Sequence, residues 1–389
     1  MSRNHTIRVL DEADLDALDT SLSLAFGEVS AGAEERVAQH IRARLPNTLG
    51  SFEHGRLASS AHMYPFEMYV GGRRQRVGGL ASVATQPWAR RRGHVTGLLK
   101  AWFERLHDAG VGWCTEHPFE PGFYARYGFQ SVPDGRVLEV APAVFDAGPA
   151  PDADRLSGAD LAALEPIHAA FASRYSFALT RDDGARDGWW RVAHPWTGSE
   201  RHVYLLQDAY LVFSRFDDPA DGLRVTDVAW STPAGRQHLG RFLRAFDGQF
   251  KRVRVHLPPG DAVLLDQQAR HAVATPLLQV RVVDVATALA PLAAATPSRW
   301  RIGLEDGDCP WNDGVFDVRL TPDGCRVTPT RGSADAHLDV RALCALVTGA
   351  APASAVLADG RAEGEPQALR ALAELTRGQP PFQAEVDGY

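Results

Sequence analysis

Three consecutive arginines followed by a glycine are the first feature of the sequence that could do chemistry. Arg90, Arg91, Arg92 and Gly93 lie between a strand-like run that ends at Thr85 and the start of a helical pattern. The first turn of a helix leaves backbone N–H groups unpaired and carries a partial positive charge. Glycine lets the backbone approach an anion closely, and the arginines add full charges. The segment predicts a pyrophosphate site, although a solvated basic helix start would show the same four residues.

A tyrosine in an aromatic turn is the second such feature. Tyr124 lies in the segment Phe123–Phe129, which contains a second tyrosine and one glycine. A phenol near a turn can donate a proton to a departing thiolate. A half-buried aromatic residue at a sheet edge would have the same local pattern, so this segment alone leaves both interpretations open.

The composition excludes several classes of protein. The chain has 389 residues, 45% hydrophobic and 23% charged, which allows two to four ordered domains. A formal net charge of −7 argues against a general nucleic-acid binder and agrees with a cationic or neutral small-molecule partner. Four cysteines without pairing or metal spacing, and histidines without a His-Glu-x-x-His pair, predict neither a disulfide framework nor a metal site.

The sequence also predicts no membrane association. No apolar run approaches 18 residues, and the N-terminus lacks the apolar region of a secretory signal. We therefore expect a cytoplasmic protein.

The arginine turn and the aromatic segment lie in a first block whose pattern predicts mixed α/β structure. A strand at 6–10 and helices at 15–26 and 34–45 precede two extended runs, 57–70 and 77–85, joined by a Gly-Gly turn. After the arginines comes a helix with a clear apolar stripe, then strands at 111–115 and near 136–140. The stripe consists of Val95, Leu98, Leu99, Trp102, Phe103 and Leu106.

Two further blocks follow the first. The middle block repeats the order of helices and strands, with a helix that follows a Ser-Thr-Pro turn at 231–233 and contains Gln237 and Gly240 in a Gln-x-x-Gly pattern. That pattern lies inside the helix, which argues against a second anion site. The last block predicts a smaller α+β domain. We place the limits at residues 1–147, 148–285 and 286–389.

These motifs together resemble the GNAT acyl-CoA N-acetyltransferases. The resemblance rests on Val83-Ala84-Thr85, the arginine turn and the stretch from Phe119 to Phe129. More narrowly, the chain is similar to the enhanced intracellular survival (Eis) branch, through stretches at 211–231, 282–285 and 309–314 and an aromatic last residue. The resemblance implies two fused GNAT-like domains, the second non-catalytic, plus a C-terminal sterol-carrier-protein-like α+β domain, and a homohexamer.

The resemblance also implies a binding site for acetyl-CoA as cosubstrate. Val83, Ala84 and Thr85 would offer backbone groups to the pantetheine arm and the thioester carbonyl. Phe119 and Glu120 would flank the pantetheine end. The residues that would cradle the pyrophosphate are Arg90, Arg91, Arg92, Gly93, His94, Val95 and Thr96.

The implied reaction is direct acetylation of a primary amine without a metal. Tyr124 matches the general acid of the family, and the free α-carboxylate of Tyr389 matches its general base. Aminoglycoside-like polyamines or lysine side chains would be acceptors. Two alternatives from other classes remain: a non-catalytic protein that binds CoA and an apolar ligand on the same scaffold, and a structural protein that binds no acetyl-CoA.

Overall fold

Three β-sheets organise the chain. The computed structural model describes residues 5–27, 34–182, 189, 192, 200–216, 222–261, 278–376 and 378–388. Within these residues the sheets have eight, six and five strands. The prediction of a mixed α/β chain is confirmed.

The strands lie where the alternating and apolar runs of the sequence end in turns. In chain order they are β1 (Thr6–Val9), β2 (Thr48–Glu53), β3 (Arg56–Val70), β4 (Arg73–Thr85), β5 (Trp113–Glu116), β6 (Gln130–Val132), β7 (Arg136–Val140), β8 (Asp154–Leu156), β9 (Ala178–Leu179), β10 (His202–Leu205), β11 (Ala209–Arg215), β12 (Gly222–Trp230), β13 (Arg252–Leu257), β14 (Leu278–Val282), β15 (Ser298–Glu305), β16 (Gly314–Thr321), β17 (Gly324–Thr330), β18 (Ala336–Asp339) and β19 (Ala362–Gly364). The β3–β4 turn uses Gly71 (φ +59°) and Gly72 (φ +72°), because a two-residue turn with both φ positive favours glycine.

The helices pack on the sheets through single apolar faces. In chain order they are α1 (Leu15–Phe26), α2 (Glu34–Arg44), α3 (His94–Asp108), α4 (Pro121–Ala125), α5 (Glu165–Ala172), α6 (Pro233–Arg244), α7 (Val285–Leu289), α8 (Val340–Val347), α9 (Ala353–Ala358) and α10 (Pro366–Ala373). The apolar stripe predicted for α3 is buried except for Val95, which is half-buried, and Trp102 also donates its indole N–H to the Ala61 carbonyl at 3.1 Å.

The first sheet has the order β1-β2-β3-β4-β5-β14-β6, with β9 added beside β3. One face carries α3 and the aromatic residues of the Phe123–Phe129 segment. The other face joins the core of the C-terminal domain, where Trp113 and Val280 belong to the same cluster as Ile302 and Leu343. The first sheet is therefore covered on both sides.

The first two sheets exchange strands. The order of elements predicts the strand 136–140 in the first block, but β7 pairs antiparallel with β13 in the second sheet. Conversely, β14 comes from the middle block and inserts between β5 and β6 of the first sheet. A hydrophobic pattern identifies a strand but not its partner, so the exchange is not visible in the sequence. The domain limits at 147 and 285 stay predictions. The first sheet takes β14, and the second sheet takes β7, from the other side of the limit at 147.

The second and third sheets complete the molecule. The second has the order β7-β13-β12-β11-β10-β8, and the third has the order β17-β16-β15-β18-β19. After α10 the chain returns to the second sheet, where Phe382, Ala384 and Val386 join its core. The C-terminal end of the chain therefore packs on the middle block.

Two expectations from composition concern the whole chain. All four cysteines are free and buried. Among the described residues, no helix is both long and apolar enough to cross a membrane.

Candidate active site

A fork between two parallel strands forms the centre of the site. β4 and β5 are paired from Val77 with Trp113 to Leu80 with Glu116, and no further pairs are formed. β4 continues to Thr85, so the edge that faced β5 has no strand partner in the described part of the chain beyond Leu80. Unpaired strand edges offer N–H and C=O groups to an extended ligand.

A bulge in β4 shapes this free edge. The register with β3 shifts between the pair Ser60–Ala84 and the pair His62–Ala81, and Ser82 has a positive φ of 51°. Such a bulge re-aims the backbone next to a site. Val83, Ala84 and Thr85, predicted as coenzyme-binding residues, lie on this bulged end.

The end of β4 is fixed from the β3 side. The Ser59 hydroxyl donates to the Ala84 carbonyl at 2.7 Å, and its oxygen lies 2.8 Å from the Thr85 hydroxyl. The Thr85 side chain is therefore engaged within the sheet, which leaves its backbone as the group available to a ligand.

The arginine turn opens α3 without a cap. Arg91 has φ +60° and Gly93, the N-cap, has φ +89°, so two residues of this short turn are left-handed. Gly93 has no side chain with which to cap the helix, which leaves the first N–H groups, those of His94, Val95 and Thr96, to an external acceptor. No atom of the described residues lies within 4 Å of a Cβ built at Gly93, so the space in front of the turn is open to a ligand.

The three arginines differ in their contacts. Arg90 and Arg91 are exposed. Arg92 is ion-paired with Glu53 at 3.1 Å. An anion at the helix start would therefore meet two exposed guanidinium groups and one that already has a carboxylate partner.

Two predicted pyrophosphate residues turn their side chains inward. His94 is 2% exposed, and its Nδ1 lies 2.9 Å from the Ser51 hydroxyl. Burial lowers the pKa of His94, the nearby His5 lowers it further, and Glu53 opposes both effects. The Thr96 hydroxyl lies 2.9 Å from the Tyr127 hydroxyl. These residues can serve an anion through their N–H groups rather than their side chains.

One cluster of possible metal ligands lies behind this turn. Donor atoms of His5, Glu53 and His94 all lie within 4.8 Å of one another. However, the two imidazole rings are stacked at 3.8 Å with an interplanar angle of 17°, so their in-plane lone pairs do not converge. Arg92 also neutralises Glu53. The cluster as folded does not fit a metal ion.

Tyr124 lies on the helix side of the fork. It is 4% exposed on α4, and the rings of Phe119, Phe123 and Phe129 contact it edge-on at 4.9–5.9 Å. Burial raises the pKa of the Tyr124 phenol, and the charges of Glu116 and Tyr127 add to this rise. The phenol therefore keeps its proton in neutral solution and can act as a donor.

The two residues predicted to flank the pantetheine lie directly before α4. Phe119 is 74% exposed, unusual for a phenylalanine, and its ring lies 5.5 Å from that of Phe123. Glu120 is the N-cap of α4, and its carboxylate accepts the Gly122 N–H at 3.2 Å. The structure thus gives Glu120 a capping role in addition to its predicted position.

Glu116 is a buried carboxyl beside the fork that no sequence pattern predicted as part of the site. It is the last residue of β5 and is 2% exposed. Burial raises the pKa of Glu116 to about 9. The predicted strand ended at Thr115, which left Glu116 in a loop. The available signal was a carboxylate that directly follows a five-residue run of apolar and small residues, three residues before Phe119.

Tyr389, predicted as the source of the general base, lies outside the described residues. Its neighbourhood is described up to Gly388. Asp387 is 1% exposed and receives N–H groups from Arg181, with its Oδ2 2.7 Å from the guanidinium. Arg181 also pairs with Asp227, which accepts a hydrogen bond from Tyr210 at 3.0 Å. The last turn of the chain is thus anchored two residues before the terminus.

The corresponding helix start of the middle block is already capped. The Thr232 hydroxyl accepts the Gly235 N–H at 3.1 Å and itself donates to Asp208. Gln237 and Gly240 lie inside α6, as the sequence predicted. A Cβ at Gly240 would lie 1.9 Å from Asp146, so this glycine serves close packing.

Comparison with known proteins accounts for most of the chain. Residues 6–132 and residues 178–284 each match an acetyltransferase (GNAT) domain family, and residues 283–384 match a sterol carrier protein domain family. An uncharacterized N-acetyltransferase of Streptomyces coelicolor is 28% identical over 393 residues, which covers 91% of this chain and 92% of that protein.

Solved structures share the whole architecture. A GCN5-related N-acetyltransferase from Kribbella flavida has a TM-score of 0.84 at 23% identity, covering 99% of this chain and 98% of that one. Eis1 from Mycobacterium abscessus has a TM-score of 0.79 at 20% identity, covering 99% and 100%. The predicted fold class of two GNAT-like domains and a sterol-carrier-like domain is confirmed. The protein is therefore an acetyltransferase built of two GNAT-like domains and a C-terminal sterol-carrier-protein-like domain.

Proposed function

We propose that this protein transfers the acetyl group of acetyl-CoA directly to a primary amine. The observation that carries the proposal is the fork at Leu80 and Glu116. It leaves one edge of β4 free, and Leu80 packs in the same hydrophobic cluster as Tyr124 and α3. A thioester needs an extended binding edge, an anion site and a proton donor near the leaving sulfur.

The coenzyme would follow the free edge of β4 toward the arginine turn. Its pantetheine amides would bond to backbone groups of Val83 to Thr85, and its diphosphate would accept the N–H groups after Gly93. The uncapped helix start and the open space before Gly93 support this placement. Arg90 and Arg91 would add charge-assisted contacts.

The proton donor would be Tyr124. Departure of the coenzyme thiolate needs a proton, and a buried phenol whose pKa is raised holds one at neutral pH. The proton acceptor expected from the family resemblance is the carboxylate of Tyr389. Support comes from the buried Arg181–Asp387 pair, which holds the chain two residues earlier.

The acceptor would be a polyamine of the aminoglycoside type or a lysine side chain, as in Eis-like enzymes. The net charge of −7 agrees with a cationic acceptor. The homohexamer implied by the same resemblance stays a prediction, which light scattering of the purified protein would check.

Tyr124→Phe tests the proposal. The variant keeps the ring and its packing but removes the proton donor. We expect kcat to fall about 10²-fold or more, with acetyl-CoA binding unchanged, because general acid catalysis contributes about 10²–10⁴-fold. The measurement is thiol release from acetyl-CoA across a panel of amines, together with the thermal shift caused by acetyl-CoA.

The rival interpretations predict other outcomes. A wild-type protein that binds acetyl-CoA but acetylates no amine would be the non-catalytic binding protein. A protein whose melting temperature does not change with acetyl-CoA would be neither an acetyltransferase nor a CoA-binding protein. A bound ligand at 100 times its dissociation constant adds about 2.7 kcal/mol of stability, which such a measurement detects. Tyr127→Phe is a matched control, because the Tyr127 hydroxyl is already engaged by Thr96.

A further inference from the structure

Glu116 occupies the point where the two strands of the fork separate. It forms the last pair of β5 with β4, opposite Leu80, and the last pair with β14, opposite Gln279. Side chains alternate along a strand, so Glu116 faces the same side as Cys114. Cys114 belongs to the cluster of α3, Tyr124 and Phe129. Glu116 therefore faces the catalytic side of the first sheet.

The carboxyl group of Glu116 has no structural partner. It forms no hydrogen bond or ion pair with the part of the chain that the structure describes, and its Oε1 is buried and unpartnered. A buried carboxyl without a partner destabilises a fold. Asp387 and Asp306, which are buried to a similar degree, are both paired with arginines. Glu116 differs from them in being left open, which points to a role in function.

A second unpartnered acceptor lies directly across the strand pair. Gln279 is 1% exposed, and its Nε2 donates to the Ser131 hydroxyl at 2.8 Å and to the Pro121 carbonyl at 3.2 Å. Its Oε1 has no partner among the described residues. Directly opposed residues share a face of the sheet. Two acceptor oxygens therefore face the same side at the fork, and an ammonium group has three N–H donors to offer.

Tyr124 is the neighbouring proton donor. Tyr124 belongs to the same cluster as Cys114, on whose side of β5 Glu116 lies, and the charge of Glu116 adds to the rise in the pKa of Tyr124. Among the described titratable groups, Cys114 on the same strand also experiences the charge of Glu116, while β4 contributes Leu80 opposite it. Burial raises the pKa of the Cys114 thiol, so it stays neutral. Arg281 on β14 is paired with Asp306.

We propose that Glu116 is a catalytic residue that receives the acceptor amine, with Gln279 beside it, and takes the proton that the amine must lose. The proposal rests on the proposed acetyl transfer. It assigns a proton acceptor inside the fork itself, in addition to the carboxylate expected from the chain terminus.

The proton steps balance. The ammonium group gives one proton to the Glu116 carboxylate, and the freed nitrogen forms a bond to the thioester carbonyl carbon. As the C–S bond breaks, the Tyr124 phenol protonates the sulfur. Glu116 then returns its proton to Tyr124, and the nitrogen loses its second proton to solvent. The products are the acetamide, CoA with a free thiol, and one proton.

The pH dependence follows from burial. Burial places the pKa of Glu116 at about 9, which is close to that of an aliphatic ammonium, so proton transfer between the two groups is nearly balanced. In the free enzyme, kcat/KM should rise with pH toward a break near 9 as Glu116 ionises. The amine contributes its own titration. Measuring kcat/KM with two acceptor amines of different pKa separates the two titrations. A break in the pH profile that belongs to the enzyme stays at the same pH for both amines.

The experiment compares Glu116→Gln with the wild type and with Glu104→Gln, a control at an exposed position of α3. Glutamine has the shape of the protonated carboxyl, so the fold should be kept. We expect kcat of Glu116→Gln to fall about 10²–10³-fold, the enzyme's break near pH 9 to disappear, and the acetyl-CoA thermal shift to stay. Glu116→Asp should recover part of kcat, and Glu104→Gln should behave as wild type.

The outcomes separate the two proposals. If the wild type is active and Glu116→Gln keeps kcat within threefold and the same pH break, the assignment of Glu116 is wrong while acetyl transfer stands. If residues added after Tyr389 abolish turnover and Glu116→Gln does not, the terminal carboxylate is the sole acceptor. If the wild type acetylates no amine, both proposals fail. Should Glu116→Gln not fold, a wild-type break that shifts with the pKa of the amine would overturn the assignment.

Discussion

A single buried carboxyl gives this fold a measurable dependence on pH. Burial raises the pKa of Glu116 from its ordinary value of 4.5 to about 9 in the folded protein. A carboxyl group whose pKa is raised by folding contributes its full stability below its pKa in the unfolded state. That contribution is lost as the pH rises toward its pKa in the folded state. Between pH 5 and pH 9, the wild type therefore loses stability at this position.

Glu116→Gln removes this loss, because the amide does not ionise. We expect the melting temperature of Glu116→Gln to exceed that of the wild type by several degrees more at pH 9 than at pH 5. Differential scanning calorimetry across this range measures the difference, in which titrations elsewhere cancel. Glu104→Gln should show a constant difference. A constant difference for Glu116→Gln would show that the carboxyl is solvated rather than buried.

At the scale of single elements, the start of α3 combines strain with an opening for a ligand. Gly93 adopts φ +89°, which costs an L-residue about 1–2 kcal/mol. In the described part of the chain no atom lies within 4 Å of a Cβ built there, so Gly93→Ala changes the backbone preference without a clash. We expect its affinity for acetyl-CoA to fall about five- to tenfold, measured by isothermal titration calorimetry, since 1.4 kcal/mol is a factor of ten.

Gly248 supplies the matched control for this prediction. It has φ +81° and lies beyond α6 in the middle block. A Cβ built on it also has no neighbour within 4 Å among the residues that the structure describes. Gly248→Ala should lose similar stability and keep its affinity for acetyl-CoA. Equal affinities of both variants and the wild type would contradict a coenzyme site at the arginine turn.

Local patterns predicted the elements of the site better than their partners. The apolar stripe of α3 and the Gly71–Gly72 turn follow from spacing and from backbone preference, both local properties of the chain. The exchange of β7 and β14 depends on pairing between distant segments, which the alternation of apolar residues does not encode. Glu116 was missed for the same reason, because its place in the sheet depends on the pairing of β5 with the distant strand β14.

At the scale of the whole molecule, the C-terminal tail ties the sterol-carrier domain to the middle block. Ser176 and Pro381 form an isolated bridge, and Phe382 donates its N–H to the Ser176 carbonyl at 3.0 Å. The charged part of this connection is buried, because the side chains of Arg181, Asp227 and Asp387 are at most 2% exposed. Removal of one member leaves an uncompensated charge, which costs about 3–5 kcal/mol for a typical buried pair.

Asp387→Asn therefore tests whether the anchored tail serves catalysis. We expect a loss of stability of about 2–4 kcal/mol, faster proteolysis of the tail, and a fall in kcat with unchanged acetyl-CoA affinity, because the terminal carboxylate follows two residues later. Glu385→Gln is the matched control. Its partner Arg224 is 48% exposed, and exposed pairs contribute about 0–1 kcal/mol. If Asp387→Asn loses stability but keeps kcat while folded, the tail is a structural strap. In that case, Glu116 would be left as the proton acceptor of the fork.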